Sequence, residues 1–340
     1  MQRNLKDYLV ISLKGMAMGA ADVVPGVSGG TIALITGIYK ELIGSFSAIN
    51  LGLFKILRKE GIAAAFKSVN GSFFVALLLG IAISILSLAK LFHYLIEHQP
   101  VLVWSFFFGL IIASVWLVGK RVTEWNKSTL ALLIIGTLIS FGITLISPAN
   151  GPDTLWYLFL AGMLAFIAMI LPGISGSFIL LLLGAYQLVL GKVSSLLDAL
   201  HPFDMGLLLN NGIALGVFAV GGAIGLLSFS RVLNWMFDKY EANTLALLTG
   251  FLIGSLNKVW PWKLTTEVYV KHAGEANESV VPLVQENVLP NDAFRVISEA
   301  EVQLGVLSKE PQVGWAILLA IGGFLLIYLL EHFSAKYQSE

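Results

Sequence analysis

The chain has 340 residues, of which 57% are hydrophobic and 12% charged, and its formal net charge is zero. An average soluble chain carries about 25% charged residues, and the mean hydropathy here is +0.83, so an ordinary soluble globular protein is excluded. The balanced charge excludes a nucleic-acid binder, and the absence of cysteine excludes disulfides, thiolate chemistry and cysteine metal sites; no zinc-ligand or Walker spacing occurs.

In chain order, residues 1–14 predict an interfacial amphipathic helix. Leu5, Tyr8, Leu9 and Leu13 share one face, with Arg3, Lys6 and Asp7 toward the other. An extension of the first membrane helix is the alternative. No small-residue cleavage site follows a short apolar core, so the segment does not read as a cleaved signal. An apolar region then runs from 15 to 49, broken by Pro25-Gly26-Val27-Ser28-Gly29-Gly30. Three stretches long enough to span a membrane follow at 69–89, 100–118 and 128–147. A second broken region, 154–191, is interrupted by Pro172-Gly173-Ile174-Ser175-Gly176-Ser177. Three more stretches follow at 207–229, 242–258 and 312–330, the middle one short. Between the last two lies a polar insertion, 263–311, with eight acidic and four basic residues; 292–307 could form a surface helix within it.

The two broken regions are copies. Residues 15–44 and 162–191, offset by 147, are identical at twelve of thirty positions, including the Pro-Gly-X-Ser-Gly core and Tyr39/Tyr186. A weaker echo at an offset of 141 matches Lys90 with Arg231, Glu97 with Asp238, Gly109 with Gly250 and Ser114 with Ser255. The fold expected is therefore an all-α polytopic membrane protein with an internal repeat. Repeat 1 covers 15–148, and repeat 2 covers 154–331 with the insertion inside it. If each broken region is a re-entrant hairpin, each half crosses three times and the second half is inverted. That arrangement puts thirteen Lys and Arg on one face and seven on the other. The positive-inside rule then makes both termini cytoplasmic and turns the insertion outward.

A backbone turn at membrane depth persists only where it is buried in protein or lines a polar cavity. The two turns should therefore meet each other or water. Proline stops each first arm, Gly26, Gly29, Gly30, Gly173 and Gly176 permit close approach, and Ser28 and Ser175 can cap the returning helix. Thr31 and Ser177 add hydroxyls. Two helix N-termini with open N–H groups make an anion site, as in inverted-repeat transporters; the plainer reading is close packing alone. Asp22, at membrane depth, reads equally as a coupling or gating group and as a structural cap or ion pair with Lys14 or Lys40. Its counterpart in the second copy is Met169. Lys40, Lys90 and Arg231 read either as phosphate guides or as snorkelling helix-end anchors. The five histidines form no metal set, and the tryptophans fit an aromatic belt.

GAADVVPGVSGGT at 19–31 and LPGISGSFILLLLGAY at 171–186 resemble the paired signatures of the bacterial and archaeal polyprenyl-phosphate (undecaprenyl-phosphate) transporter family, PopT, and the resemblance covers essentially the whole chain. It implies a flippase of the cell inner membrane that returns undecaprenyl phosphate from the outer to the cytoplasmic leaflet. That recycles the carrier for peptidoglycan and other surface polymers. It also implies roles for Asp22 to Thr31 and for Pro172 to Ser177. The expected partners are the polyprenyl-phosphate lipid and membrane lipids, with no cofactor. A homo-oligomer and a coupling proton or cation remain open. A small-anion transporter or channel, a membrane lipid-phosphate enzyme and a membrane scaffold are the competing readings.

Overall fold

The computed structural model describes residues 3–23, 27–146, 151–199, 203–271, 279–290 and 311–338. It is mostly helical. The first half contains α1 (Leu5–Val23), α2 (Gly29–Ile35), α3 (Tyr39–Ser47), α4 (Leu51–Glu60), α5 (Ile62–Ser68), α6 (Gly71–His98), α7 (Pro100–Lys120) and α8 (Lys127–Thr144). The second contains α9 (Leu155–Ile170), α10 (Gly176–Leu182), α11 (Ala185–Asp198), α12 (Met205–Lys239), α13 (Glu241–Ser255), β1 (Lys263–Lys271), β2 (Ser279–Asn287) and α14 (Val313–Gln338).

Helices α6, α7, α8 and α12 are long and apolar enough to cross a membrane. Of the two other spans expected, α14 is a 26-residue helix that covers 313–330, whereas α13 has only 15 residues. At 1.5 Å per residue α13 reaches only about 22 Å, against roughly 30 Å of hydrocarbon. Residues 256–262 therefore continue inside the protein body, where Val259 and Trp262 are buried. Both broken regions are broken. α1 is separated from α2 at the first turn and α9 from α10 at the second, and the α10–α11 pair bends by 104°. Residues 5–23 form one continuous helix, so the N-terminal amphipathic stretch and the first arm are a single element. Between α3 and α6 lies the helix pair α4–α5. Leu51, Phe54, Leu57, Ile62 and Phe66 stay exposed there beside Lys55, Arg58, Lys59 and Lys67, the composition of helices that lie in a membrane interface.

The two halves pack alike. α1 lies on α6 and α9 on α12, while α8 packs on α13 and α7 on α14. The third span of each half thus rests on the second span of the other. The contacts repeat in detail: Gly15 sits on the Leu77 carbonyl and Gly162 on that of Phe218, while Gly80 sits on Ser12 and Gly221 on Phe159. In each pair the partners keep the 147- and 141-residue offsets. Small residues at these crossings let backbones approach where lipid provides no hydrophobic drive. Tyr39, Phe73, Ile43, Ile111, Leu117, Leu233, Leu248 and Leu252 fill the centre, and Leu79, Leu86, Leu138 and Leu318 face outward.

The insertion departs from the all-helical expectation. β1 and β2 form a two-stranded antiparallel hairpin, with Lys263 opposite Asn287. Pro282 is tolerated because both strands are edges and the register is irregular nearby. The Trp260 indole donates to the Val288 carbonyl, and the Trp262 indole donates to that of Pro311, tying the insertion to the helical body. The surface helix expected at 292–307 lies outside the described residues.

Candidate substrate site

The two turns meet. Ser28 Oγ donates to the Met169 carbonyl at 3.2 Å, Tyr39 OH donates to that of Ile170 at 2.9 Å, and Thr31 Oγ1 accepts from the Gly173 N–H at 3.0 Å. Thr31 and Tyr39 are fully buried. A Cβ on Gly30 would stand 2.5 Å from the Ile170 carbonyl oxygen, so only glycine fits this seam. Gly173 adopts φ +81°, a conformation glycine reaches without strain. Carbonyls left over at the end of α9 are thus satisfied by hydroxyls from the other hairpin, as burial at membrane depth demands.

The two returning helices are finished differently. In α2, Asp22 Oδ1 accepts from the Gly29 N–H at 2.6 Å and Ser28 Oγ accepts from that of Gly30 at 3.1 Å. Lys14 donates to the Thr36 carbonyl at 2.7 Å, and Arg121 donates to those of Leu34 and Ile35 at 3.2 and 3.4 Å. A carboxylate at the amino end and two cations at the carbonyl end complement the helix dipole. Both ends of α2 are therefore satisfied, and Asp22 is bound to backbone rather than to Lys14 or Lys40.

Hairpin two has Met169 where hairpin one has Asp22, and Ser175 makes no capping bond to α10. Ser175 Oγ instead lies 2.8 Å from Ser177 Oγ. Beside this turn is a cavity of about 10 Å3 lined by Ser140, Ile143, Thr144, Gly173, Ile174, Ser175, Phe178 and Lys258. Lys258 Nζ stands 4.2 Å from the centre of the Phe178 ring. The residue equivalent to Lys258 in the first half, at the 141-residue offset, is Leu117. Lys263 lies nearby, its ammonium donating to the Lys258 carbonyl and sitting 4.9 Å from the Trp104 ring centre. Burial, then the charge of Lys258, push Lys263 down to about 7.

The remaining charges singled out in the sequence lie elsewhere. Lys40 is exposed, 3.8 Å from Glu241. Arg231 donates to the Ile49 carbonyl at 2.8 Å, closing the end of α3. The side chain of Lys90, and Gly26 itself, lie outside the described residues. Sequence reasoning missed Arg121, Ser140 and Lys258 as participants. Arg121 and Lys258 look like ordinary helix-end cations, and only the 141-residue offset, which sets Lys258 against Leu117, carried a hint. Among the described residues no cluster of His, Asp and Glu could hold a metal.

Comparison with known proteins identifies the family. A family model described as VCA0040-like, undecaprenyl phosphate translocase-like, matches residues 18–277. A protein of Vibrio cholerae named polyprenyl-phosphate transporter is 42% identical over 330 residues, covering 97% of this chain and 98% of the relative. A protein of Staphylococcus aureus with the same name is 34% identical over 261 residues, covering 73% and 85%. No solved structure matches. The chain belongs to the VCA0040-like, undecaprenyl phosphate translocase-like family, and it is a multi-pass membrane transporter rather than an enzyme.

Proposed function

We propose that this protein is a flippase for undecaprenyl phosphate or a related polyprenyl phosphate, returning the carrier from the outer to the cytoplasmic leaflet of the inner membrane. The phosphate is held where the two broken hairpins meet. The observation that carries this reading is the bonded seam between the turns, Thr31 to Gly173 and Ser28 to Met169. It puts polar backbone and hydroxyls in one place between the repeats. A phosphate leaving water needs such partners, since its desolvation is otherwise prohibitive, and the polyprenyl tail remains in lipid through a lateral opening. The relatives' names supply the substrate class.

The halves are inverted, and both hairpins are re-entrant. Polar links between distant segments support this, because each joins loops that the inverted arrangement puts on one face. Arg231 reaches Ile49, Asn243 reaches Ser128 and Arg3 pairs with Glu41 on the cytoplasmic side. Lys192 pairs with Asp153, and Gln312 reaches Gln99, on the other side. Both termini are then cytoplasmic. Transport follows as the repeats rock about the seam, presenting it to each leaflet in turn. Asp22, as the acid that locks α2 to α1, is the group through which a proton or cation would be coupled.

Proteoliposomes with labelled undecaprenyl phosphate in one leaflet test the activity. Purified protein is expected to speed transbilayer movement of the phosphate lipid and leave undecaprenol unchanged. Equal effects on both lipids, or on neither, would overturn the reading. Accelerated efflux of inorganic phosphate without lipid movement would point to a small-anion transporter. Labelling at 50–60 and 192–204 tests the inversion, and accessibility of both loops from the same face would sink it.

A further inference from the structure

Two hairpins of one origin have diverged in charge. Hairpin one carries a carboxylate at the start of its returning helix, and the position equivalent to Lys258 in its half is the apolar Leu117; hairpin two carries no carboxylate there and has Lys258 beside it. An anion approaching hairpin one meets Asp22 and N–H groups already engaged. An anion approaching hairpin two meets an ammonium and hydroxyls.

A second observation marks the same place. Ser140 is 1% exposed, and its hydroxyl is one of two buried side-chain groups without a hydrogen-bond partner among the described residues. Neighbouring helix hydroxyls behave differently: Ser105, Ser114 and Thr137 each donate to the carbonyl four residues back. Ser140 instead lines the Lys258 cavity. A buried hydroxyl left unpaired costs about 1–3 kcal/mol, and the Lys258 ammonium, beside the Phe178 ring, has no carboxylate partner among the described residues. Both deficits are removed by one ligand, an anion with several acceptor oxygens.

We infer that the phosphomonoester head of the lipid binds on the hairpin-two side of the seam, with Lys258 as its counter-ion and the Ser140, Ser175 and Ser177 hydroxyls as donors. This rests on the proposed function and deepens it, since it assigns the anion to one turn and names a charged residue from α13's extension. The cavity of about 10 Å3 has room for one water and not for a phosphate. The Lys258–Phe178 contact is therefore a closed state that opens on binding, the ammonium leaving the ring for the phosphate. Lys258 sits within reach of hairpin two because α13 ends short of a full span, which brings the following residues to the depth of the turn.

The test is binding of undecaprenyl phosphate, undecaprenol and inorganic phosphate to the full chain in lipid nanodiscs. Lys258→Gln is expected to weaken undecaprenyl phosphate by about 10- to 100-fold, the range for losing a hydrogen bond to a charged group, and to leave undecaprenol unchanged. Lys258→Arg, which keeps the charge, is expected to stay within about threefold of the parent, and Ser140→Ala to weaken the phosphate lipid by roughly tenfold. Unaltered thermal melting of each variant separates lost binding from lost fold. Lys258→Gln binding as tightly as the parent, in a protein that prefers the phosphate lipid to the alcohol, overturns the assignment and leaves the function standing. A parent protein with no such preference overturns the proposed function itself. Inorganic phosphate bound as tightly as the lipid, with the same dependence on Lys258, overturns the lipid as occupant.

Discussion

Hairpin one and hairpin two share twelve of thirty residues, and their returning helices are finished differently. Hairpin one is closed on itself: Asp22 and Ser28 fill its amino end, and Lys14 and Arg121 fill its carbonyl end. Hairpin two borrows hydroxyls from hairpin one for its turn and leaves Ser140 and Lys258 beside it uncommitted. On the proposed assignment, a few side chains are enough to make one repeated turn a fixed wall and the other a receptive one. The Pro-Gly-X-Ser-Gly sequence is common to both turns, and the charged residues around it differ.

The comparison is broken most severely by Met169→Asp, which gives hairpin two the carboxylate of hairpin one. The new carboxylate would cap Gly176 as Asp22 caps Gly29 and repel the incoming phosphate. Binding of undecaprenyl phosphate is expected to fall by about 100-fold or more, the upper range for a charged hydrogen bond, with undecaprenol binding intact in the same nanodisc titration. The converse change, Asp22→Ala, strips the cap from hairpin one. It leaves the Gly29 N–H unpaired and should cost about 1–3 kcal/mol of stability, read as a lower melting temperature, while protein that remains folded keeps its preference for the phosphate lipid. Tyr39→Phe removes one bond of the seam and should cost about 1 kcal/mol; a variant as stable as the parent would mean that the seam contributes little. Lys40→Gln sharpens the contrast by doing almost nothing. Its exposed pair with Glu241 is worth at most about 1 kcal/mol, and binding and melting should match the parent.

Lys263, at the start of the insertion, offers a pH test. Its folded value, pushed down to about 7, lies below that of an unfolded lysine, so the folded state resists its protonation. The cost of the buried charge is fully present below pH 7 and shrinks as pH rises toward the unfolded value. Lys263→Met should therefore raise the melting temperature at pH 6 more than at pH 9. An equal shift at both values would show that Lys263 is no charged burden on the fold.

Much of the helical frame was legible before any coordinates. Runs of apolar residues mark the long spans, and Pro-Gly-X-Ser-Gly marks a break because proline removes a donor and glycine admits close backbone. The second copy made the break a feature of the fold rather than a local accident. The site was legible only in its backbone half. Ser28 reads as a cap from its place before Gly29, and it caps, but Ser175 stands in the same motif and does not. The local difference is Ser177, which stands where the first copy has Gly30 and whose hydroxyl lies 2.8 Å from that of Ser175. Lys258 and Arg121 entered the sequence reading only through the charge balance, because the groups they meet lie far away in the chain. The β-hairpin was hidden by Pro282 and by the charge of the insertion, which signalled polarity and not strand pairing.

The most direct measurement of the central claim is a structure of the full chain in a lipid nanodisc with undecaprenyl phosphate bound. The phosphate is expected beside Ser175 and Ser177, within hydrogen-bond distance of Lys258, with the Thr31–Gly173 contact of the seam at its edge. A phosphate bound against Gly29 and Asp22, or far from two turns that stand apart in water, would contradict it.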